Sequence, residues 1–198
     1  MPRRSPAMKT LIALTSTAVL LAGCAAPAPR ADMPAASTVS PGVAMPAVGA
    51  ATIALAPASG SLVSGRLSAM AMGGGVHITG DVGGLAPNST HGLHVHEKGD
   101  CSAADAASAG PHFNPTGRAH GGPDSPAHHA GDLPNITAGG DGVAHVNLHV
   151  MGLTLGGAAS SNILGRALVV HAQGDDYASQ PAGNSGARIA CGVVRAGQ

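Results

Sequence analysis

The chain has 198 residues, with ten basic and ten acidic side chains and a net charge of zero when histidine is neutral. That balance excludes the basic excess a nucleic-acid binder uses to meet phosphates. One Phe, one Tyr and no Trp exclude base-stacking platforms and aromatic cages as well. The outlier is eleven histidines, more than Lys and Arg together. Histidine is the commonest metal ligand among side chains, so this excess is the feature to explain.

Arg3, Arg4 and Lys9 give a basic start, and Leu11 to Ala22 is a twelve-residue apolar-rich run. A run that short falls below the roughly 20 residues that span a bilayer as a helix, and reads as the apolar region of an export signal. It ends in Leu21-Ala22-Gly23-Cys24, which resembles a bacterial lipobox, where Cys24 would receive lipid and become the mature N-terminus. Residues 1–23 are therefore expected to be a lipoprotein signal peptide, with a start at either Met1 or Met8. Residues 24–50 follow as the lipidated Cys and an Ala/Pro-rich tether, broken by Pro27, Pro29, Pro34, Pro41 and Pro46; such a stretch buries little. The expected location is the bacterial cell envelope, lipid-anchored and facing the periplasm. Ala25, rather than an Asp after the Cys, favours the outer membrane slightly.

Residues 51–198 form the working domain, long enough for one ordinary core. It holds six basic against nine acidic residues and is mildly acidic. With Cys24 lipidated, Cys101 and Cys191 remain as an even pair in an oxidising compartment, and a disulfide is expected. Neither lies in a CxxC or CxxH spacing that would suit a metal instead.

Strand-like stretches succeed one another between Gly and Pro: Ala51 to Leu55, Leu62 to Met70, Val76 to Val82, Gly92 to Glu97, Gly142 to Val150 and Ala167 to His171. Apolar/polar alternation is clearest from Val143 to Val150. Short strands with Gly-rich turns predict an antiparallel sandwich or barrel. Two segments, roughly 99–141 and 172–187, resist strand assignment, and loops of that length are usually functional.

The histidines gather around those loops. His94 and His96 share one face of a short strand by its period of two. The long loop supplies His112, His120, His128, His129 and Asp132, and His171 closes the apolar run from Ala167. Imidazoles with one carboxylate suit zinc, and nitrogen-rich sites suit copper and zinc. Spacing alone predicts a metalloprotein with more than one ion.

Five segments, His91-Gly92-Leu93-His94-Val95-His96-Glu97, Ser108 to Pro115, His129-Ala130-Gly131-Asp132-Leu133, Leu168 to His171 and Gly186 to Val193, together resemble the copper/zinc superoxide dismutase family, in the family's order. The resemblance implies an all-β fold, an eight-stranded antiparallel Greek-key β-barrel with two long functional loops. It implies one copper and one zinc ion per subunit: copper on His94, His96, His112 and His171, zinc on His112, His120, His129 and Asp132. The Asp132 spacing favours His129 over His128. The implied reaction converts two superoxide ions to dioxygen and hydrogen peroxide by copper redox cycling. His112 would bridge the ions and accept a proton, Arg188 would guide the anion, and Asp175 would link a copper-ligand His to a zinc-ligand His. Cys101 and Cys191 match the family's disulfide, pinning the long loop beside Arg188.

Eukaryotic relatives carry lysines and glutamates after the last copper ligand, whereas residues 172–186 hold Asp175 and Asp176 and no Lys. Steering is then left to Arg188, the metals, Lys98 and Arg118. His91 is expected to bond a loop carbonyl, and His77, His145 and His149 to be polar-face residues. Met70 and Met72, with His77 nearby, read as a turn before Gly73-Gly74-Gly75, with copper(I) reception during loading as the other reading. Relatives include monomers and homodimers, and the sequence leaves that choice open.

Overall fold

The computed structural model describes residues 45–197; the expected signal peptide, Cys24 and most of the tether lie outside the described residues. Alternation builds the first strands. In β1 (Ala50–Pro57) the small and branched side chains of Ala51, Ile53 and Leu55 turn inward between exposed neighbours. In β2 (Ser64–Met72) Leu67 and Ala69 do the same, and in β3 (Gly75–Gly83) Val76, Ile78 and Val82. The remaining strands are β4 (Thr90–His91), β5 (Leu93–His96), β6 (Ile136–Thr137), β7 (Ala144–Met151), β8 (Ala167–His171) and β9 (Arg188–Ala196).

Seven of these form one sheet in the order β5-β8-β9-β1-β2-β3-β7, with β4 paired to β6. Every pairing between these strands is antiparallel. Because β4 runs into β5 across Gly92 and β6 leads toward β7, the small pair joins the two edges of the large sheet. Closure removes the free edges that invite aggregation. With β4 and β5 taken as one strand broken at Gly92, eight strands complete a Greek-key barrel.

Two differences from the sequence reading have physical causes. Strand β9 has no alternation to reveal it: Ala190, Cys191 and Gly192 are buried in succession because Ala190 faces the main core while Cys191 packs outward under Ala106 and Ala109 of the loop. The barrel also begins before residue 51. Met45 bridges to Gly157, and the Val48 amide donates to the Leu155 carbonyl at 2.8 Å.

The two long loops survive as loops, apart from a single 3-10 turn at Ala107–Ala109 and the two residues of β6. The first is fixed at its start by the Cys101–Cys191 disulfide, with Cα atoms 5.8 Å apart. Further along, Phe113 is buried, and the Arg166 guanidinium lies 3.6 Å above its ring centroid. Arg166 also donates to the carbonyls of Asn162, Glu97 and Ala159. This arginine fastens the loop residue next to His112 onto the barrel.

Candidate metal centre

All four residues of β5 are buried, because the long loop lies along the edge that β8 leaves free. The Val95 amide donates to the Gly131 carbonyl at 2.9 Å, and the Phe113 amide donates to the Val95 carbonyl at 2.8 Å. This stitching brings His96 beside His112 and His94 beside Asp132. Gly131 is required for so close an approach, since a Cβ there would collide with the Val95 carbonyl. Residues 16 and 38 positions apart in the chain thereby become one site.

His94, His96, His112 and His171 form one group of candidate ligand atoms, and His112, His120, His129 and Asp132 form a second, each within 4.8 Å of one another. Four of the imidazoles, those of His94, His96, His120 and His171, are oriented by a bond from the other nitrogen, as metal-binding histidines generally are. His96 Nδ1 meets the Gly110 carbonyl at 2.8 Å, and His171 Nδ1 meets the Gly186 carbonyl at 3.2 Å. That leaves their Nε2 atoms facing each other at 3.4 Å. His94 uses Nε2, which lies 2.8 Å from Asp175 Oδ2. His112 sits in both groups, its ring 4.0 Å from that of His94 and its Nδ1 2.8 Å from Asp132 Oδ1.

Three ring nitrogens, His94 Nδ1, His112 Nε2 and His120 Nδ1, are buried without a hydrogen-bond partner. Leaving such a group unpaired costs about 1–3 kcal/mol. Metal ions at these positions remove that cost, so the donor set fits one ion in each group. Burial also favours the neutral form of His94, His96, His129 and His171, the form that binds metal. It pushes His96 down to about 2 and His171 down to about 3, and it lowers His94 despite the opposing bond to Asp175. His129 is lowered by the same cause. Burial alone would raise Asp132, but bonds from His112 and from the His129 and Gly121 amides outweigh it and hold the carboxylate ionised.

Asp175 is the buried link expected from the sequence: Oδ2 faces His94 and Oδ1 faces His120 Nε2 at 2.9 Å. Asn135 clamps its backbone, accepting from the Asp175 amide at 2.8 Å and donating to its carbonyl at 2.9 Å. Gln180 clamps His120 in the same way. Sequence reading missed both amides, and single Asn and Gln residues in Gly-rich loops carry no pattern that would reveal them. A Cβ on Gly183 would collide with the Asp175 carboxylate.

His91 meets a carbonyl, although it belongs to His171 at the end of β8 and not to a loop, at 2.8 Å. His128 stays outside both groups; its Nδ1 meets the His129 carbonyl at 2.7 Å. His145 and His149 are exposed on β7, and His77 is partly exposed on β3.

A cavity of about 490 Å³ opens onto His96, His112, His129 and His171, and Arg188 lies in its wall. The guanidinium donates to the carbonyls of Ala106 and Gly110, each at 2.7 Å. The Gly110 carbonyl thus orients Arg188 and His96 together. Lys98 and Arg118 do not line this cavity. Arg118 instead ties its own loop, bonding to the Pro126 carbonyl at 2.9 Å.

A family model described as copper/zinc superoxide dismutase matches residues 63–194. The chain belongs to that family. It is 45% identical over 127 residues to superoxide dismutase [Cu-Zn] 3 of Arabidopsis thaliana, covering 61% of this chain and 75% of that one. Among solved structures it resembles a SOD-like protein from Bacillus subtilis, with TM-score 0.66 and 37% identity, covering 72% of this chain and 97% of that one. A double mutant of that SOD-like protein aligns with TM-score 0.67 and 39% identity, covering 73% and 96%. The enzyme is accordingly a superoxide dismutase with one copper and one zinc ion per subunit, and each of its two four-residue groups could hold a metal ion.

Proposed function

We propose that the enzyme disproportionates superoxide in the cavity beside Arg188 by copper redox cycling, and that it does so at the bacterial cell envelope. Two superoxide ions and two protons give one dioxygen and one hydrogen peroxide. Copper held by His94, His96, His112 and His171 supplies the one-electron redox chemistry, zinc having none of its own. Everything else is the work of side chains. Arg188 offers a permanent positive charge with a fixed direction, because its fork is already engaged by two carbonyls and guanidinium does not deprotonate. The anion docks against that charge in a cavity where no lysine competes for it. His112 holds the proton at Nε2 while its Nδ1 stays on the Asp132 side, so the ring changes protonation without changing place.

The observation that carries this reading is the convergence of the unpaired His112 Nε2 with the anchored Arg188 on one cavity. The envelope location rests on the basic start, the apolar run and the lipobox-like Leu21 to Cys24. In this reading Cys24 bears lipid, and the domain faces the periplasm, outer membrane slightly favoured, where it protects the envelope from superoxide.

The test measures superoxide consumption by the copper- and zinc-loaded chain, with His112→Ala and Arg188→Ala alongside. Loss of one charged guide is expected to slow the reaction within the roughly 10–10³-fold range of electrostatic steering. A loaded protein without activity would overturn the reaction, and an unchanged Arg188→Ala rate at low salt would overturn the guiding role. Labelling with palmitate in a bacterial host, lost in Cys24→Ala, tests the anchor.

A further inference from the structure

Away from the metal centre, one outer face of the barrel collects soft donors. Strands β2, β3 and β7 lie side by side, and their registers set Met70 opposite His77 and His77 opposite His149. Two residues further on, Met72 and Met151 flank Gly75 from either side. Side chains directly opposed in an antiparallel pair share a face, with Cβ atoms about 4.5–5.5 Å apart. The period of two adds Met72 to the face of Met70 and Met151 to that of His149. Three thioethers and two imidazoles therefore stand together in water. Met70, Met72 and Met151 are 55%, 52% and 65% exposed, and are three of the six exposed large hydrophobics among the described residues.

Burial in a core does not account for these methionines, and the patch is already partly drawn together. His149 Nε2 lies 3.2 Å from Met151 Sδ. Metal bonds of about 2.0 Å to nitrogen and about 2.3 Å to sulfur let two donors of one ion sit at such a separation. The rings of His77 and His149 have centroids 6.1 Å apart, and His77 Nδ1 is buried without a partner. The turn beside them is Gly73-Gly74, where a Cβ on Gly73 would reach 3.9 Å from His149 Nε2 and one on Gly74 3.6 Å from the Met151 methyl. Both are ordinary van der Waals distances, and glycine is favoured there by the positive φ of 56° and 80°.

We propose that Met70, His77, His149 and Met151, with Met72 beside them, form a second metal site on the outside of the barrel, selective for copper(I). Thioethers are soft ligands that select copper(I), and imidazole accepts it too. No carboxylate adjoins these donors: the acid on the same face of β3, Asp81, lies beyond the row of Ser68, Thr79 and Asn147 and is engaged by His145 at 2.6 Å. The site is independent of the dismutation centre, sharing none of its residues. It gives the enzyme a place to hold monovalent copper at its surface.

The experiment titrates silver(I), a soft ion without redox chemistry, into the full chain with copper and zinc already bound, its methionine methyls carrying carbon-13. One equivalent is expected to shift the Met151 and Met70 methyl signals while Met45 stays put. In Met151→Leu/His149→Gln the affinity falls by at least about tenfold, the lower end for disturbing a metal's surroundings. Unchanged superoxide consumption shows that the variant remains folded. A response confined to methionines outside the patch, or equal silver binding by the variant, overturns the site.

Discussion

Replacing both Cys101 and Cys191 by alanine removes the disulfide that ties the metal-bearing loop to β9. The bond joins residues 90 positions apart. In the chain-entropy treatment, opening a loop of that length costs about 4.6 kcal/mol at 25 °C. For a domain of this size the loss corresponds to a fall in Tm on the order of 9–18 °C. Bound metal stabilises the folded state by mass action, so the comparison belongs in chelator, with urea as denaturant. Far-UV circular dichroism is the suitable signal, because there is no Trp to report by fluorescence. A second effect is local. Ala106 and Gly110, whose carbonyls hold Arg188, lie in the segment between the anchor at Cys101 and the ligand His112. Once the anchor is gone they hold the guanidinium less firmly, and the metal-loaded variant is expected to lose activity several-fold even well below its Tm. A stability loss under about 1 kcal/mol, far short of the entropic figure, combined with unchanged turnover, would refute both halves of the reasoning.

Three further outcomes are expected. With Arg188 as the cation in the cavity wall and Glu97 also lining it, the rate should fall only gently with ionic strength; a steep fall in stopped-flow decay of superoxide would contradict this. The metal-free protein should weaken in acid: the unfolded chain takes protons below about 6.5 that folded His96 and His171, held near 2 and 3, refuse, and each contributes a slope of about 1.4 kcal/mol per pH unit. Asp132 and Asp175, lowered in the folded state, extend the loss below about 3.9 as they protonate; urea curves showing flat or rising stability from pH 6.5 to 4 would exclude this account. Gly183→Ala, which drives a Cβ into the Asp175 carboxylate at a backbone φ of 61°, should weaken zinc binding by about 10–100-fold, read by competition with a chromogenic chelator.

Much of the site was legible because its ligands are a rare residue type in short, ordered segments. Strand period places His94 and His96 on one face, while the family resemblance made ligands of them and, with the Asp132 spacing, favoured His129 over its neighbour His128. The fold was legible where one face is wet and the other dry, as in β1 and β7. It was illegible in β9, where burial on both faces erases alternation, and in β4 and β6, which are too short to form a pattern. Carbonyl contacts were beyond reach for another reason. That Gly110 orients both His96 and Arg188 depends on where a backbone oxygen points, and the side-chain sequence does not encode that directly.

Asp175 and His112 make the two metal groups thermodynamically inseparable. Asp175 bonds one imidazole from each group, and His112 belongs to both. An ion that orders its own ligands therefore also sets a donor for the other, and linkage requires the favour to be returned by the same factor. Loading of one group is therefore coupled to loading of the other, and whatever factor the first ion imposes on the second's affinity, the second imposes on the first.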